Sequence, residues 1–246
     1  MPRYKIILSY DGSPFSGWQV QPGCRSVQGC LNEACSLIAK EPIYLAGSGR
    51  TDAGVHAKGQ VAHFSTTAPL SPCFQEKVNQ VLPSEIRILS TETTTPDFHA
   101  RFNAIEKTYH YHITSSLVLN PFAYPYRTHL FYEMDLDLLR EALKYFIGTH
   151  DFSSFANARG APCSPIKTLH ELRFVSEGPE AFRLEFTGCG FLYKMVRNIV
   201  GTLIHIARGK ILLETLPALF AAKDRKIIPP PAPAKGLFLI SVKYRN

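Results

Sequence analysis

Two α+β domains meeting near residue 103 are what the sequence predicts, residues 1–103 forming the first and 104–246 the second. Each half mixes short strand-like segments with amphipathic helical stretches in similar proportion, and no repeat relates them. The chain has 246 residues, 45% hydrophobic and 19% charged, which is enough apolar material for a sizeable core and too much for disorder. Charge divides the halves further. Residues 1–103 carry 9 Lys and Arg against 8 Asp and Glu, and residues 104–246 carry 18 against 12. A basic second half favours an anionic partner, of which nucleic acid is the commonest.

Along the first half, Tyr4 to Tyr10 reads as a strand, closed by the turn residues Asp11-Gly12-Ser13-Pro14. Val27, Cys30, Leu31, Ala34, Leu37 and Ile38 recur at helical spacing, and the helix they mark must end before Pro42. Ile43 to Ala46 looks like a strand feeding a loop from Gly47 to Gly54, and Gln60 to Ser65 is another short strand. In the second half, Thr108 to Thr114 alternates as a strand. A helix spans Asp137 to Ile147, with Gly148 where a C-cap belongs. Leu169 to Val175 and Phe182 to Phe186 follow as strands. Met195, Val196, Ile199, Val200, Leu203 and Ile206 mark a strong helix ending near Gly209. Three prolines, Pro229 to Pro231, lead in extended form to a last strand, Leu237 to Tyr244.

Several chemistries are disfavoured by pattern. No apolar run approaches the ~20 residues that cross a bilayer. The N-terminus has no signal-peptide pattern, so a cytoplasmic protein is the expectation. The cysteines, at 24, 30, 35, 73, 163 and 189, include no Cys-x-x-Cys pair, and no metal site is expected. His56 and His63 do not make a His-Glu-x-x-His pattern and read as structural. His150-Asp151 near Ser153 and Ser154 invites a triad reading, but adjacent side chains rarely converge.

The loop around Asp52 is different. Gly47-x-Gly49 with Gly54 fits neither Gly-x-Gly-x-x-Gly nor a phosphate loop ending in Gly-Lys. What remains is a carboxylate on a tight loop, with Arg50 two residues before it. Asp beside Gly commonly braces a turn or caps a helix. A neighbouring guanidinium, however, keeps a partly buried carboxylate ionised and oriented. That is the state nucleophilic work at a sugar or base requires.

The segment Gly47-Ser48-Gly49-Arg50-Thr51-Asp52-Ala53-Gly54-Val55-His56-Ala57 closely resembles the catalytic motif of the tRNA pseudouridine synthase A family. The resemblance extends through Tyr10-Asp11-Gly12, Gly17-Trp18-Gln19, Val27-Gln28-Gly29, Gly59 to Phe64, Phe98 to Phe102 and Lys107 to Tyr111. It continues through His150 to Phe155, Gly190 to Asn198 and Ala232 to Leu237, in family order over essentially the whole chain. Departures lie outside the loop: no tryptophan in Phe74 to Pro83, Lys167 where arginine is frequent, and Pro230-Pro231-Ala232 for a commoner Thr-Ala.

The resemblance implies isomerisation of uridine to pseudouridine in tRNA, at positions 38 to 40 of the anticodon stem-loop, without cofactor, metal or energy source. It implies Asp52 as the catalytic carboxylate, attacking C1′ or C6 or taking the C2′ proton, on a uridine flipped out of its stack. Arg50 resembles the residue that helps displace the base, Tyr109 the tyrosine that stacks on the uracil, and Arg197 the partner of the carboxylate. Leu237 would wall the pocket. From the residues alone, Tyr109 also fits a core tyrosine of an alternating strand, and Arg197 a helical arginine reaching water. The resemblance further implies ferredoxin-like or RNA-recognition-type antiparallel sheets joined across a basic central cleft, and a homodimer. Two other classes stand beside it. An RNA-binding module would need the basic surface but not the carboxylate, and a glycoside or nucleoside hydrolase would need a second carboxylate, which does not accompany the loop.

Overall fold

The computed structural model describes residues 1–157 and 164–245. Its elements in chain order are β1 (Arg3–Tyr10), α1 (Val27–Ala39), β2 (Ala46–Gly47), β3 (His56–Ser65), α2 (Phe74–Val81) and β4 (Ile86–Thr94). There follow β5 (Ala104–Thr114), β6 (Thr128–His129), α3 (Leu136–Leu143), β7 (Gly148–Asp151), β8 (Ile166–Ser176) and β9 (Ala181–Gly188). The last are α4 (Met195–Ala207), α5 (Leu216–Ala222) and β10 (Leu237–Tyr244). The result is helices with mostly antiparallel sheet, as an α+β chain requires. Contacts gather into two compact units, one holding Met1–Ile105 with the stretch from Phe238 onward, the other Glu106–Leu237.

In the first unit the strand order is β4-β1-β3-β10, with β2 also beside β3. All pairs are antiparallel except β3 with β10, where Phe238 and Leu239 run parallel to His56 and Ala57. β1 buries alternate residues, Tyr4, Ile6, Leu8 and Tyr10, as the two-residue period of a strand dictates. Each such side chain contributes on the order of 1.5–3 kcal/mol. α1 opens on Ser26, whose hydroxyl accepts from the Gly29 N–H at 3.2 Å. It turns Val27, Leu31, Ala34 and Cys35 inward and stops at Lys40, left-handed at φ 58°, just short of Pro42. Ile43 to Leu45 does not join a ladder as expected. Its N–H groups are taken by side chains of α1, Ile43 by Ser36 at 2.8 Å and Leu45 by Asn32 at 2.9 Å. Only Ala46–Gly47 pairs as strand.

The second unit has the order β5-β9-β8-β7, with β6 parallel to β5. On one face Tyr109, Tyr111 and Ile113 stand opposite Phe186, Leu184 and Phe182, all buried. The other face is a charged lattice. Glu177 accepts from Arg183 at 2.9 Å and from Arg127 at 2.7 Å, and Glu185 from Arg183 and Arg173 at 2.7 Å each. Burial alone would raise the Glu177 carboxyl, but bonds from Arg183 and Arg127 outweigh it and hold the group at about 2. α4 buries every residue except Arg197 and His205, which explains why its sequence is apolar on nearly all sides. The helix expected to reach Ile147 is α-helical only to Leu143 and tightens into a 3₁₀ turn over Lys144–Phe146. Gly148, at φ 107°, then turns the chain into β7. Of the cysteines, Cys24, Cys30, Cys35, Cys73 and Cys189 are free thiols, and Cys163 lies outside the described residues. No helix among the described residues is long and apolar enough to cross a membrane.

Candidate active site

The loop between β2 and β3 is held from beneath by a buried polar network. Ser48 donates its N–H to the Val61 carbonyl at 2.7 Å and its hydroxyl to Gln60 Oε1 at 2.7 Å. Gln60, fully buried on β3, returns Nε2 to the Gly49 carbonyl at 3.0 Å and to Tyr10 Oη at 3.4 Å. Tyr10 Oη in turn meets Thr51 Oγ1 at 2.8 Å, one residue before Asp52. Burial pushes the Tyr10 phenol up to about 12, against the pull of its bonds to Thr51 and Gln60, so it serves as a neutral hydrogen-bonding group. From the other side the Thr51 carbonyl accepts from the Trp18 N–H at 3.1 Å.

Asp52 then opens a tight turn, its carbonyl accepting from Val55 N–H at 3.1 Å, with Gly54 at φ 75°. The residue is half-buried. Two glycines let the preceding segment press against this loop. Gly17 is left-handed at φ 98°, and a Cβ there would stand 2.7 Å from the Thr51 carbonyl oxygen. A Cβ on Gly12 would stand 2.0 Å from the Val55 carbonyl oxygen. Gly12 N–H donates to His56 Nδ1 at 3.1 Å, Asp11 Oδ1 lies 3.1 Å from the same nitrogen, and the His56 ring lies on Phe238 at 4.5 Å.

Arg50 is exposed on the same loop, and its Nε donates to Gln19 Oε1 at 3.0 Å. Gln19 Nε2 donates to Gln28 Oε1 at 2.6 Å, and Gln28 Nε2 to the Leu45 carbonyl at 2.7 Å.

The other expected residues lie in the second unit. Tyr109 is buried on β5 and meets Phe191 edge-on, ring centres 5.0 Å apart. Arg197 sits in the first turn of α4. Its Nε donates to the Ala232 carbonyl at 2.7 Å, while its own carbonyl accepts from Ala232 N–H at 2.9 Å. This double tie fixes the approach to Leu237, which is buried at the start of β10 after a 3₁₀ turn over Ala234–Gly236. The start of α4 is itself pinned by the 150–157 segment. Asn198 Nδ2 donates to the Phe155 carbonyl at 2.9 Å and to Asn157 Oδ1 at 3.1 Å, and Asn157 N–H to the Tyr193 carbonyl at 3.0 Å.

That segment makes no triad. Ser153 Oγ donates to Asp151 Oδ1 at 2.6 Å, Ser154 Oγ to the Leu219 carbonyl, and His150 Nε2 to the Ile147 carbonyl at 2.9 Å. Among the described residues no group of three or more His, Cys, Asp or Glu side chains could hold a metal ion. Tyr10, Thr51, Gln60, Gln19 and Gln28 are the site residues to which sequence reasoning gave no role. Gln19 and Gln28 stood inside motifs already marked, but nothing in the spacing says that their amides meet.

A profile described as tRNA pseudouridine synthase matches residues 142–245. The chain is similar to tRNA pseudouridine synthase A 1 of Protochlamydia amoebophila, 47% identical over 251 residues, covering 100% of this chain and 98% of that protein. It is also similar to tRNA pseudouridine synthase A of Maridesulfovibrio salexigens, 42% identical, covering 99% of this chain and 91% of that protein. The same-named protein of Listeria monocytogenes is 40% identical, with 99% and 100% covered.

Proposed function

The chain belongs to the tRNA pseudouridine synthase A family, and we propose that Asp52 is the carboxylate with which it isomerises uridine to pseudouridine in the anticodon stem-loop of tRNA, at positions 38 to 40. It is an enzyme of the isomerase class acting on tRNA. The observation that carries the role of Asp52 is its setting. A half-buried carboxylate stands on a turn whose preceding residues are fixed through Ser48, Gln60, Tyr10 and Thr51. A group meant only to brace a turn needs no such support, whereas a reacting group must be held to within a fraction of an ångström.

In this reading the C1′–N1 bond of a flipped-out uridine breaks, the uracil turns, and C1′ bonds to C5, which gives up its proton while N1 gains one. As the family resemblance implies, the scheme uses no cofactor or metal. Asp52 attacks C1′ or C6, or takes the C2′ proton. Arg50 helps displace the base, Tyr109 stacks on the uracil, Arg197 pairs with the carboxylate and Leu237 supplies an apolar wall. The reading also takes the protein as two ferredoxin-like, RNA-recognition-type domains that divide near residue 103, with the stretch from Phe238 onward returning to the first, a basic tRNA-binding surface and a cytoplasmic homodimer.

Asp52→Asn tests it. The amide keeps the shape and most hydrogen bonds but can act neither as nucleophile nor as base. Pseudouridine formation on a tRNA transcript should fall below detection while tRNA binding is kept, because affinity rests mainly on phosphate contacts. Asn braces turns nearly as well as Asp, so substantial turnover by the folded variant would return Asp52 to a structural role.

A further inference from the structure

The amides that run from Leu45 to Arg50 take no part in the chemistry above, yet their hydrogen bonds allow one orientation only. A backbone carbonyl can only accept, so the Gln28 NH₂ must face Leu45 O, 2.7 Å away. That leaves Gln28 Oε1 to accept from Gln19 Nε2 at 2.6 Å and from Val20 N–H at 3.0 Å. The Gln19 NH₂ is thereby committed, and its Oε1 faces Arg50 Nε at 3.0 Å. Turning either amide over would set donor against donor or acceptor against acceptor. Gln28 belongs to the first turn of α1, so the relay ties the exposed guanidinium to a capped helix.

We propose that Gln19, locked by Gln28, is a positioning residue for Arg50, presetting the guanidinium that displaces the target base. This rests on the role given to Arg50 above. An arginine side chain carries much rotamer freedom, and an exposed one would otherwise lose it as the base leaves its stack. The bond engages Nε and leaves the terminal nitrogens of the fork to the RNA.

The test is the single-turnover rate of pseudouridine formation on an unmodified tRNA transcript, with enzyme saturating so that binding losses do not register. Gln19→Ala should slow it roughly tenfold, the size of one hydrogen bond to a charged group. Melting temperature and tRNA affinity should stay near those of the parent. Gln19→Met, which keeps the length of the side chain but neither hydrogen bond, should match it and stands in should the alanine variant fold poorly. Gln28→Ala should give a loss in the same direction. In the Arg50→Ala background Gln19→Ala should add nothing, since its effect is exerted through Arg50. An unchanged rate in Gln19→Ala or Gln19→Met overturns the proposal, as does the full tenfold loss persisting without Arg50. A parent protein that makes no pseudouridine at all would instead bring down the functional reading on which the proposal stands.

Discussion

Tyr109 is the residue at which two roles compete. It is buried opposite Phe186 and packs edge-on against Phe191, so its ring belongs to the core of its unit whatever else it does. If it also stacks on a flipped uracil, Tyr109→Phe should keep most activity. Tyr109→Ala, measured where it is still folded, should lose about ten- to hundredfold, in line with the ~1–3 kcal/mol of a base–aromatic stack. Near-normal turnover by folded Tyr109→Ala would leave only the packing role. His63 offers a cleaner physical readout. Burial, and then the nearby His99 and Arg3, bring its pKa down from 6.5 to about 4, against a bond that the ring donates to the Ala46 backbone. A group depressed in the folded state binds its proton sooner in the unfolded chain, so its contribution is intact above pH 6.5 and is lost as pH falls toward 4. Denaturant midpoints of His63→Gln should therefore fall less across that window than those of the parent; parallel curves would exclude His63 as the source. At this scale the sequence exposes residue types and local spacing. The Asp52 loop was legible because its members are contiguous. The partners of Arg50 and Thr51 were not, because Gln19 and Tyr10 lie 31 and 41 residues away and only the fold brings them near.

Elements were legible in proportion to how much apolar surface they bury at a regular period. α1, α4 and β10 were expected within a few residues of their observed bounds; the buried positions of α1 and α4 recur along each helix, whereas β10 buries only Leu237, Phe238 and Leu239 at its start. α2 and β4 had no such signal. α2 buries only Phe74 and Val78, and β4 only Ile86 and Ile88. What holds this pair is polar. Asn79 Nδ2 donates to the Ile88 carbonyl at 2.9 Å and its Oδ1 accepts from Ile88 N–H at 2.8 Å, while Gln75 Nε2 reaches the Leu89 carbonyl at 3.1 Å. β4 is an edge strand, so these side chains occupy backbone groups that would otherwise template aggregation. Asn79→Ala should cost about 1–3 kcal/mol in chemical denaturation, because both partners on Ile88 lose their bonds at once. A change within about 0.5 kcal/mol would mean that water replaces the amide without penalty. The opposite failure, the strand expected at Ile43 to Ala46, has the same origin. Ile43 and Leu45 are buried, but Ser36 and Asn32 take the N–H groups a ladder needs.

For the molecule as a whole, the charge balance favours an anionic partner. Lys and Arg exceed Asp and Glu by seven, almost all of the excess falling after residue 103. tRNA affinity should thus fall steeply with salt, with a log–log slope of several units as condensed counterions are released. A slope near zero between low and physiological ionic strength would remove the case for a basic binding surface. Chain order also has a temporal meaning. β10 completes the sheet of the first unit beside His56 and Ala57, yet Glu106–Leu237 is made before it. During synthesis the sheet of the first unit therefore stays incomplete until Glu106–Leu237 has been made. A transcript broken late would still encode Asp52, Arg50, Tyr109 and Arg197, but not Phe238 under the His56 ring. A chain broken before Phe238 therefore leaves the His56 ring uncovered and β3 without its parallel neighbour.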